Sequence, residues 1–278
     1  MRKFLLLFLI VFSIVLGYSL AKDKFSKDQG QISQNQPKTP ILRFALVADS
    51  EDENGLLVKA LSQAKGAGVN FVIGLGDWTS VGTVQQLEQV RKVFDDSGLI
   101  YYLTAGDHDL WDSRNRGEEA LANFKQVFGK ASQVSNKEGV EFVILDNSDI
   151  YKGIDDEGWQ MLQDSLSAGP VAGATRSLTF VFAHKTPFHP QSAHVMGEDS
   201  AQVAQQAKKL IDLLEIRKVD GFFCGDLHFF AQFNSPSGNV KMTTVGAVAS
   251  ERNFQGPRFA IVTVYSDYSW EVADVGIR

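Results

Sequence analysis

Short apolar segments rich in strand-forming residues alternate with amphipathic segments along most of the chain. This alternation predicts parallel strands joined by helices, because a parallel pair needs a long crossover connection between its strands. The predicted strands are 41–48, 70–75, 99–103, 141–145, 178–183 and 219–224. The predicted helices are 55–67, 84–94, 118–128, 157–166 and 201–216. The chain is therefore expected to adopt an α/β fold.

The pattern changes after residue 229. Short alternating stretches follow at 240–245, 259–265 and 270–275, with turn-forming Ser, Pro, Gly and Asp residues between them. No helical pattern separates these stretches, so they predict antiparallel strands. We expect these strands to form a second sheet that packs against the first.

The first 21 residues differ in character from the rest of the chain. Arg2 and Lys3 precede an apolar stretch at 4–16, and a small-x-small triplet ends at Ala21. This layout predicts a signal peptide that is cleaved after Ala21. The alternative is an uncleaved N-terminal membrane anchor, because the 18 residues at 4–21 are just long enough to span a bilayer.

Both alternatives predict an extracytoplasmic protein, because the positive charges precede the apolar stretch. The protein would be secreted or periplasmic if the leader is cleaved, and anchored with its domain outside if it is not. Residues 22–40 are polar and predict a disordered linker, so the folded domain is expected at 41–278. The net charge of −6 gives no indication of a nucleic-acid-binding surface. The single cysteine, Cys224, excludes a disulfide within the chain and a zinc site made of several thiolates.

Acidic and imidazole side chains follow five of the predicted strands. The five sequences at these strand ends are Asp49-Ser50-Glu51, Gly76-Asp77, Gly106-Asp107-His108-Asp109, His184, and Gly225-Asp226-Leu227-His228. Each of them alone is commonly a turn or a helix cap. Ligands of open α/β sheets, however, bind beyond the carboxyl ends of the strands. Because all five groups are expected at one edge, together they indicate a metal site.

The order and spacing of these motifs resemble those of the calcineurin-like metallophosphoesterases. That family carries D-x-H, G-D-x-x-D, G-N-H-D/E, a single H and G-H-x-H, each at a strand end. The resemblance covers nearly the whole of residues 41–278. It implies a calcineurin-like four-layer fold, in which two mixed β-sheets pack as a sandwich flanked by helices. It also implies hydrolysis of phosphate mono- or diesters at a site with two metal ions.

The resemblance implies a role for each motif residue. The first metal ion would be held by Asp49, Glu51, Asp77 and His228. The second would be held by Asp77, Asp107, His184 and Asp226, with Asp77 bridging the two ions. A metal-bound hydroxide would attack the phosphorus of a phosphoester substrate. His108 would protonate the leaving group as the general acid, and Asp109 would orient its ring.

Three of these positions depart from the family pattern. Glu51, Asp107 and Asp226 stand where the family has His, Asn and His. All three side chains can still coordinate a metal ion. The resulting oxygen-rich ligand set favours Mn, Fe, Mg or Ca over Zn. The added negative charge also supports an alternative, a non-catalytic module that binds a metal or a partner on the same fold.

Three further features leave alternatives open. The segment 184–200, with His189 and His194, is consistent with a lid over the substrate or with an ordinary surface loop. Lys185 would either offset part of the negative charge or extend into solvent. Trp78 is expected to pack as a loop aromatic, and the alternative is that it lines the pocket. Cys224 is expected to be a buried, inert thiol.

Overall fold

The computed structural model describes residues 38–167 and 177–278. Pro40–Arg278 forms one compact unit. The predicted signal peptide or anchor at 1–21 and most of the predicted linker at 22–40 lie outside the described residues. Among the helices that the structure describes, none has the length and apolar character needed to cross a membrane.

The described chain contains strands that belong to two sheets, and helices between them. In chain order the strands are β1 (Pro40–Val47), β2 (Phe71–Leu75), β3 (Tyr101–Thr104), β4 (Gln133–Lys137), β5 (Val140–Ile144), β6 (Leu178–Phe182), β7 (Gly221–Cys224), β8 (Ala231–Asn234), β9 (Lys241–Thr244), β10 (Arg258–Tyr265) and β11 (Trp270–Gly276). The helices are α1 (Asn54–Gly66), α2 (Val84–Ser97), a 3₁₀ turn (His108–Leu110), α3 (Trp111–Asn115), α4 (Ala122–Phe128), α5 (Asp156–Ser167) and α6 (Ala201–Ile216).

Both sheets are mixed. The first has the strand order β11-β10-β1-β2-β3, in which β1, β2 and β3 are parallel and the β10 pairings are antiparallel. The second has the order β4-β5-β6-β7-β9-β8, in which β5, β6, β7 and β9 are parallel and the two outer strands are antiparallel. The expected pair of mixed sheets flanked by helices is therefore confirmed.

The four layers follow from the two-residue period of each strand. On β1, Phe44 belongs to the apolar core between the sheets, whereas Ala45 belongs to the core under α1 and α2. Helices α5 and α6 cover the outer face of the second sheet in the same way. The centre of the sandwich is aromatic: the Phe44 ring lies 5.3 Å from the rings of Phe71 and Phe142, centroid to centroid. This core fixes the two sheets face to face.

The C-terminal strands differ from the prediction. They do not form a sheet of their own: β10 and β11 extend the first sheet, while β8 and β9 extend the second. The strand β9 also pairs in parallel with β7. Which sheet a strand joins depends on which edge is free to accept its hydrogen bonds, and local sequence does not encode that edge.

One helix boundary and two edge strands also differ from the prediction. The helix predicted at 118–128 begins only at Ala122, because the preceding residues form a turn in which the Glu118 N–H donates to the Ser113 carbonyl. The edge strands β4 and β8 were not predicted, because their sequences QVSNK and AQFN are half-exposed and lack an apolar run.

The predicted buried thiol of Cys224 and the packed indole of Trp78 are confirmed, since both side chains are fully buried.

Candidate metal centre

The strand-end loops are joined to one another by backbone hydrogen bonds. The Asp49 N–H donates to the Gly76 carbonyl over 3.0 Å, and the Glu51 N–H donates to the Asp77 carbonyl over 3.0 Å. A bond between the sheets completes the arrangement: the Asp226 N–H donates to Asp49 Oδ1 over 3.1 Å. The loops after β1, β2 and β7 are therefore connected at one edge of the sandwich.

Candidate ligands on these loops have an unusual backbone conformation. Five of them have positive φ angles: Asp49 (52°), Glu51 (41°), Asp77 (52°), Asp226 (67°) and His228 (58°). The left-handed region costs an L-residue roughly 1–2 kcal/mol. Such strain persists where the surrounding structure enforces it, and it clusters at functional sites. The turns hold these side chains in place at a cost in stability, which indicates a role beyond packing.

His184 presents one ring nitrogen to the carboxylates. Its Nδ1 lies 2.7 Å from the Leu75 carbonyl oxygen, which can only accept a hydrogen bond, so Nδ1 carries a proton. Its Nε2 lies 3.5 Å from Asp77 Oδ2, 3.3 Å from Asp107 Oδ1 and 3.7 Å from Asp226 Oδ1. A backbone carbonyl on the far nitrogen is the usual way in which a metal-ligating imidazole is oriented.

Three groups of side chains offer atoms that lie within 4.8 Å of one another. The groups are Asp49 with Asp77 and His184, Glu51 with Asp77 and His108, and Asp107 with His184 and Asp226. The structure thus brings together six of the seven predicted ligands, together with His108. The seventh, His228, lies beside this cluster, with its Nε2 3.3 Å from Glu51 Oε1.

The donor chemistry of the first group fits a divalent cation. Asp49, Asp77 and His184 are buried, and Asp49 Oδ2 is buried with no hydrogen-bond partner. A buried carboxylate oxygen without a partner is costly, and a cation would satisfy it. The group contains two carboxylates and an imidazole nitrogen whose orientation is fixed. These residues therefore fit one metal ion.

The third group fits a second metal ion poorly, because Lys185 already occupies it. The Lys185 ammonium lies 2.7 Å from Asp226 Oδ1 and 3.1 Å from Asp107 Oδ1. Each carboxylate thus gives one oxygen to the ammonium, while Asp226 Oδ2 is buried with no hydrogen-bond partner. Lys185 is only 5% exposed, so the open question about its position is answered: it lies inside the centre and not in solvent.

Two carboxyl groups of the centre have a raised pKa and two have a lowered pKa. Burial raises the pKa of Asp49 to about 6 and raises that of Asp77 well above its ordinary value. Burial also acts on Asp107 and Asp226, but their cationic neighbours outweigh it. Hydrogen bonding from His184 and the charge of Lys185 hold the pKa of Asp107 well below its usual range. The hydrogen bond from His194 and the charge of Lys185 lower the pKa of Asp226 to about 2.

The third substituted carboxylate also has a cationic neighbour. Glu51 Oε1 lies 2.7 Å from Arg252 Nη2 and 3.3 Å from His228 Nε2. Despite partial burial, the hydrogen bond and charge of His228, together with the charge of Arg252, lower the pKa of Glu51. All three departures from the family pattern are thus carboxylates paired with a basic side chain of this chain.

His108 lies at the rim of the centre. Its backbone N–H donates to Asp77 Oδ1 over 3.0 Å, and its ring Nδ1 lies 3.3 Å from the Ser80 carbonyl oxygen. The ring stacks on Trp111, with centroids 4.1 Å apart. These contacts leave Nε2 as the nitrogen available for proton transfer.

Asp109 has different contacts from those expected. Its carboxylate is fully buried and accepts from the N–H groups of Trp78, Thr79 and Gly106 and from the Thr79 hydroxyl, over 2.9–3.3 Å. The His108 ring instead contacts a backbone carbonyl. Asp109 therefore holds together the loops that carry Asp77 and His108, and burial raises its pKa to about 6.

Two basic residues at the centre were not assigned a place there from the sequence. His194 Nε2 lies 3.3 Å from Asp226 Oδ1, and this hydrogen bond raises the pKa of His194 to about 9. The sequence had marked His194 only as part of a segment that was either a lid or a surface loop. Arg252 lies 201 residues from its partner Glu51, and no local pattern connects the two.

The chain is an α/β protein with a four-layer sandwich and a candidate metal site at its strand ends. The family model of the calcineurin-like phosphoesterases matches residues 42–230, which is more than half of the chain. The chain therefore belongs to the calcineurin-like phosphoesterase family, as the strand-end motifs predicted. This family implies a dinuclear metal site. No curated protein sequence matches the chain.

Solved structures share the fold at low sequence identity. A purple acid phosphatase, PPD1, from yellow lupin (Lupinus luteus) seeds is 14% identical, with a TM-score of 0.59. The match covers 86% of this chain and 54% of the lupin chain, so this chain spans about half of that enzyme. The protein TT1561 of Thermus thermophilus is 10% identical, with a TM-score of 0.53 and coverages of 85% and 99%. GAP50 of Plasmodium is 15% identical, with a TM-score of 0.52 and coverages of 85% and 89%.

Proposed function

We propose that this protein hydrolyses phosphate mono- or diesters in a metal-dependent reaction outside the cytoplasm. The observation that supports this most directly is the group of Asp49, Asp77 and His184, whose ligand atoms lie within 4.8 Å of one another. Family membership supplies the reaction class. A bound divalent ion would supply Lewis acidity and an activated water there. The oxygen-rich ligands favour Mn, Fe, Mg or Ca.

The chain's own residues supply proton transfer and attraction of the substrate. His108 donates a proton from Nε2 to the leaving oxygen, and its backbone bond to Asp77 fixes it beside the metal ligands. Trp111 supports the ring from one face and is 38% exposed, so it can also contact a substrate. Arg252 at the rim adds positive charge that attracts an anionic ester.

Hydrolysis of aryl phosphate mono- and diesters tests this function. Turnover should require added Mn, Fe, Mg, Ca or Zn and should stop when a chelator is added. Asp77→Asn should abolish turnover, and His108→Gln should lower kcat by roughly 10²–10⁴-fold, the range of general acid catalysis. Asp96→Asn, which changes an exposed carboxylate paired with Lys92 on α2, is the matched control and should leave turnover unchanged. Full activity in Asp77→Asn would defeat the proposal.

The extracytoplasmic location is a separate part of the proposal. It is supported by the charged and apolar pattern of residues 1–21. Expression of the full chain, followed by fractionation and N-terminal sequencing, tests it. A mature chain that begins at Lys22 would establish cleavage, whereas an intact N-terminus in the membrane fraction would establish an anchor. Recovery of the intact chain from the cytoplasm would contradict both alternatives.

A second candidate is a non-catalytic module that binds a metal ion or a partner. The observation in its favour is that Glu51, Asp107 and Asp226 are each already paired with a basic side chain. GAP50, which is described as an anchor in an inner membrane complex, shares the fold, so the fold alone does not distinguish the candidates. Tight binding of a metal ion without turnover of any ester would favour this candidate.

A further inference from the structure

Lys185 is held rigidly at the centre by its backbone. Its N–H donates to Asn147 Oδ1 over 2.9 Å, and its carbonyl accepts from Asn147 Nδ2 over 2.7 Å. Asn147 is fully buried, as is His184, the residue that precedes Lys185. The side chain therefore starts from a fixed point and reaches Asp226 and Asp107 as a structural element of the site.

The ammonium contacts one oxygen of each of the two carboxylates that would help to hold a second metal ion. Lys185 Nζ contacts Asp226 Oδ1 at 2.7 Å and Asp107 Oδ1 at 3.1 Å. A divalent ion binds carboxylate oxygens at about 2.0–2.6 Å. An ion bound to Asp226 Oδ1 would thus lie within about 5 Å of the ammonium. Two cations that compete for the same oxygens at such a separation repel each other strongly.

The three residues that depart from the family pattern each contact a basic side chain of this chain. The family's neutral Asn and His are replaced at this group by Asp107 and Asp226, and these are the two carboxylates that Lys185 contacts. The third departure, Glu51, contacts Arg252 in the same way. Added acids and basic side chains thus occur together, as is expected where an ammonium binds in place of a metal ion.

From this geometry we infer that the Lys185 ammonium replaces the second metal ion of the family, and that the centre binds a single divalent ion at Asp49, Asp77 and His184. An ammonium has three N–H donors, and the two carboxylates account for two of them. The third would be the donor for an oxygen of the substrate phosphate, and this last role rests on the proposed function. Lys185 is in that sense a positioning residue.

The number of bound Mn²⁺ ions tests the inference directly. The full-length chain is equilibrated with Mn²⁺, freed of excess ion and assayed by elemental analysis, and its electron paramagnetic resonance spectrum is recorded. We expect one ion per chain, with the spectrum of an isolated ion. Lys185→Met, which keeps the length and removes the charge, should bind two ions with a coupled spectrum. Lys208→Met, a change at an exposed lysine on α6, is the control and should still bind one.

Each outcome decides the matter. Two ions in the unaltered chain would overturn the inference, and this result does not depend on whether any variant folds. A Lys185→Met protein that has an unchanged circular dichroism spectrum and still binds one ion would also overturn it. Two ions with ester turnover would refute the inference and leave the proposed function standing. One ion without turnover would support the inference and refute the function, and no bound ion would refute both.

Discussion

Gly106→Ala is the substitution that best tests how Asp77 is positioned. A Cβ added at Gly106 would lie 2.7 Å from Asp77 Cγ and closer still to Asp77 Oδ1 and N. Carbon atoms pack at about 3.5–4.0 Å, so the carboxyl group must move by roughly 1 Å. Gly106 does not have a left-handed φ, so the effect comes from the clash with the backbone nitrogen and carboxyl group of Asp77 and not from the φ of residue 106.

The expected loss follows from that displacement. A change in the residues that orient a ligand costs about 10–100-fold in metal affinity. A misplacement of about 1 Å near the reacting atoms costs on the order of 10²-fold in rate. We therefore expect Gly106→Ala to weaken Mn²⁺ binding, measured by titration calorimetry, by about 10–100-fold. The value of kcat/KM for an aryl phosphate should fall by about 10²-fold.

A second glycine provides the matched control. Gly66 on α1 has no atom within 4 Å of an added Cβ and no left-handed φ. Gly66→Ala should leave Mn²⁺ affinity unchanged and stabilise the fold by up to about 1 kcal/mol through its helix propensity. If Gly106→Ala bound Mn²⁺ as tightly as the unaltered chain, the proposed positioning of Asp77 would be wrong.

Three further predictions concern stability. Phe44→Ala should lower the free energy of unfolding in urea by about 3–5 kcal/mol, because it removes a fully buried ring from between the sheets. Val58→Ala, at a 52% exposed site, should change it by no more than about 0.5 kcal/mol, and equal losses in the two variants would contradict the assigned core. Burial raises the pKa of Asp146 to about 6, so the contribution of this carboxyl group to stability falls by up to about 3 kcal/mol as pH rises from about 4 to above 6. Asp146→Asn should remove that loss, and a pH profile of urea unfolding that is the same in the variant and the unaltered chain would refute the prediction. When a divalent ion is present at about 100 times its Kd, adding a chelator should lower the free energy of unfolding by about 2.7 kcal/mol and Tm by roughly 5–10 °C. An unchanged Tm in calorimetry would mean that the folded chain binds no such ion.

The sequence predicted the elements that depend on local pattern. The helices α1, α2, α5 and α6 and the strands of the α/β part lie within a few residues of their predicted bounds. Apolar periodicity is sufficient for these elements because each buries one face or both faces in the core. It failed for β4 and β8, which are edge strands with little apolar surface to produce a signal.

The sequence also predicted which side chains meet. Asp49, Asp77 and Asp107 follow the parallel strands β1, β2 and β3 of the first sheet, so the chain direction brings their loops to one edge of that sheet. His184 and Asp226 follow the parallel strands β6 and β7 of the second sheet in the same way. Their residue types and order were sufficient to identify the family.

Only the tertiary structure decided how the charges of the centre are balanced. Lys185 was equally consistent with solvent exposure, yet its ammonium lies between Asp107 and Asp226. Arg252 reaches Glu51 across 201 residues of chain. A hydrogen bond or an ion pair depends on distances of a few ångströms between side chains, and those distances are set by how the two sheets pack. Local sequence fixes the direction of a strand and the residue at its end, whereas the partner of that residue is fixed only when the whole sandwich closes.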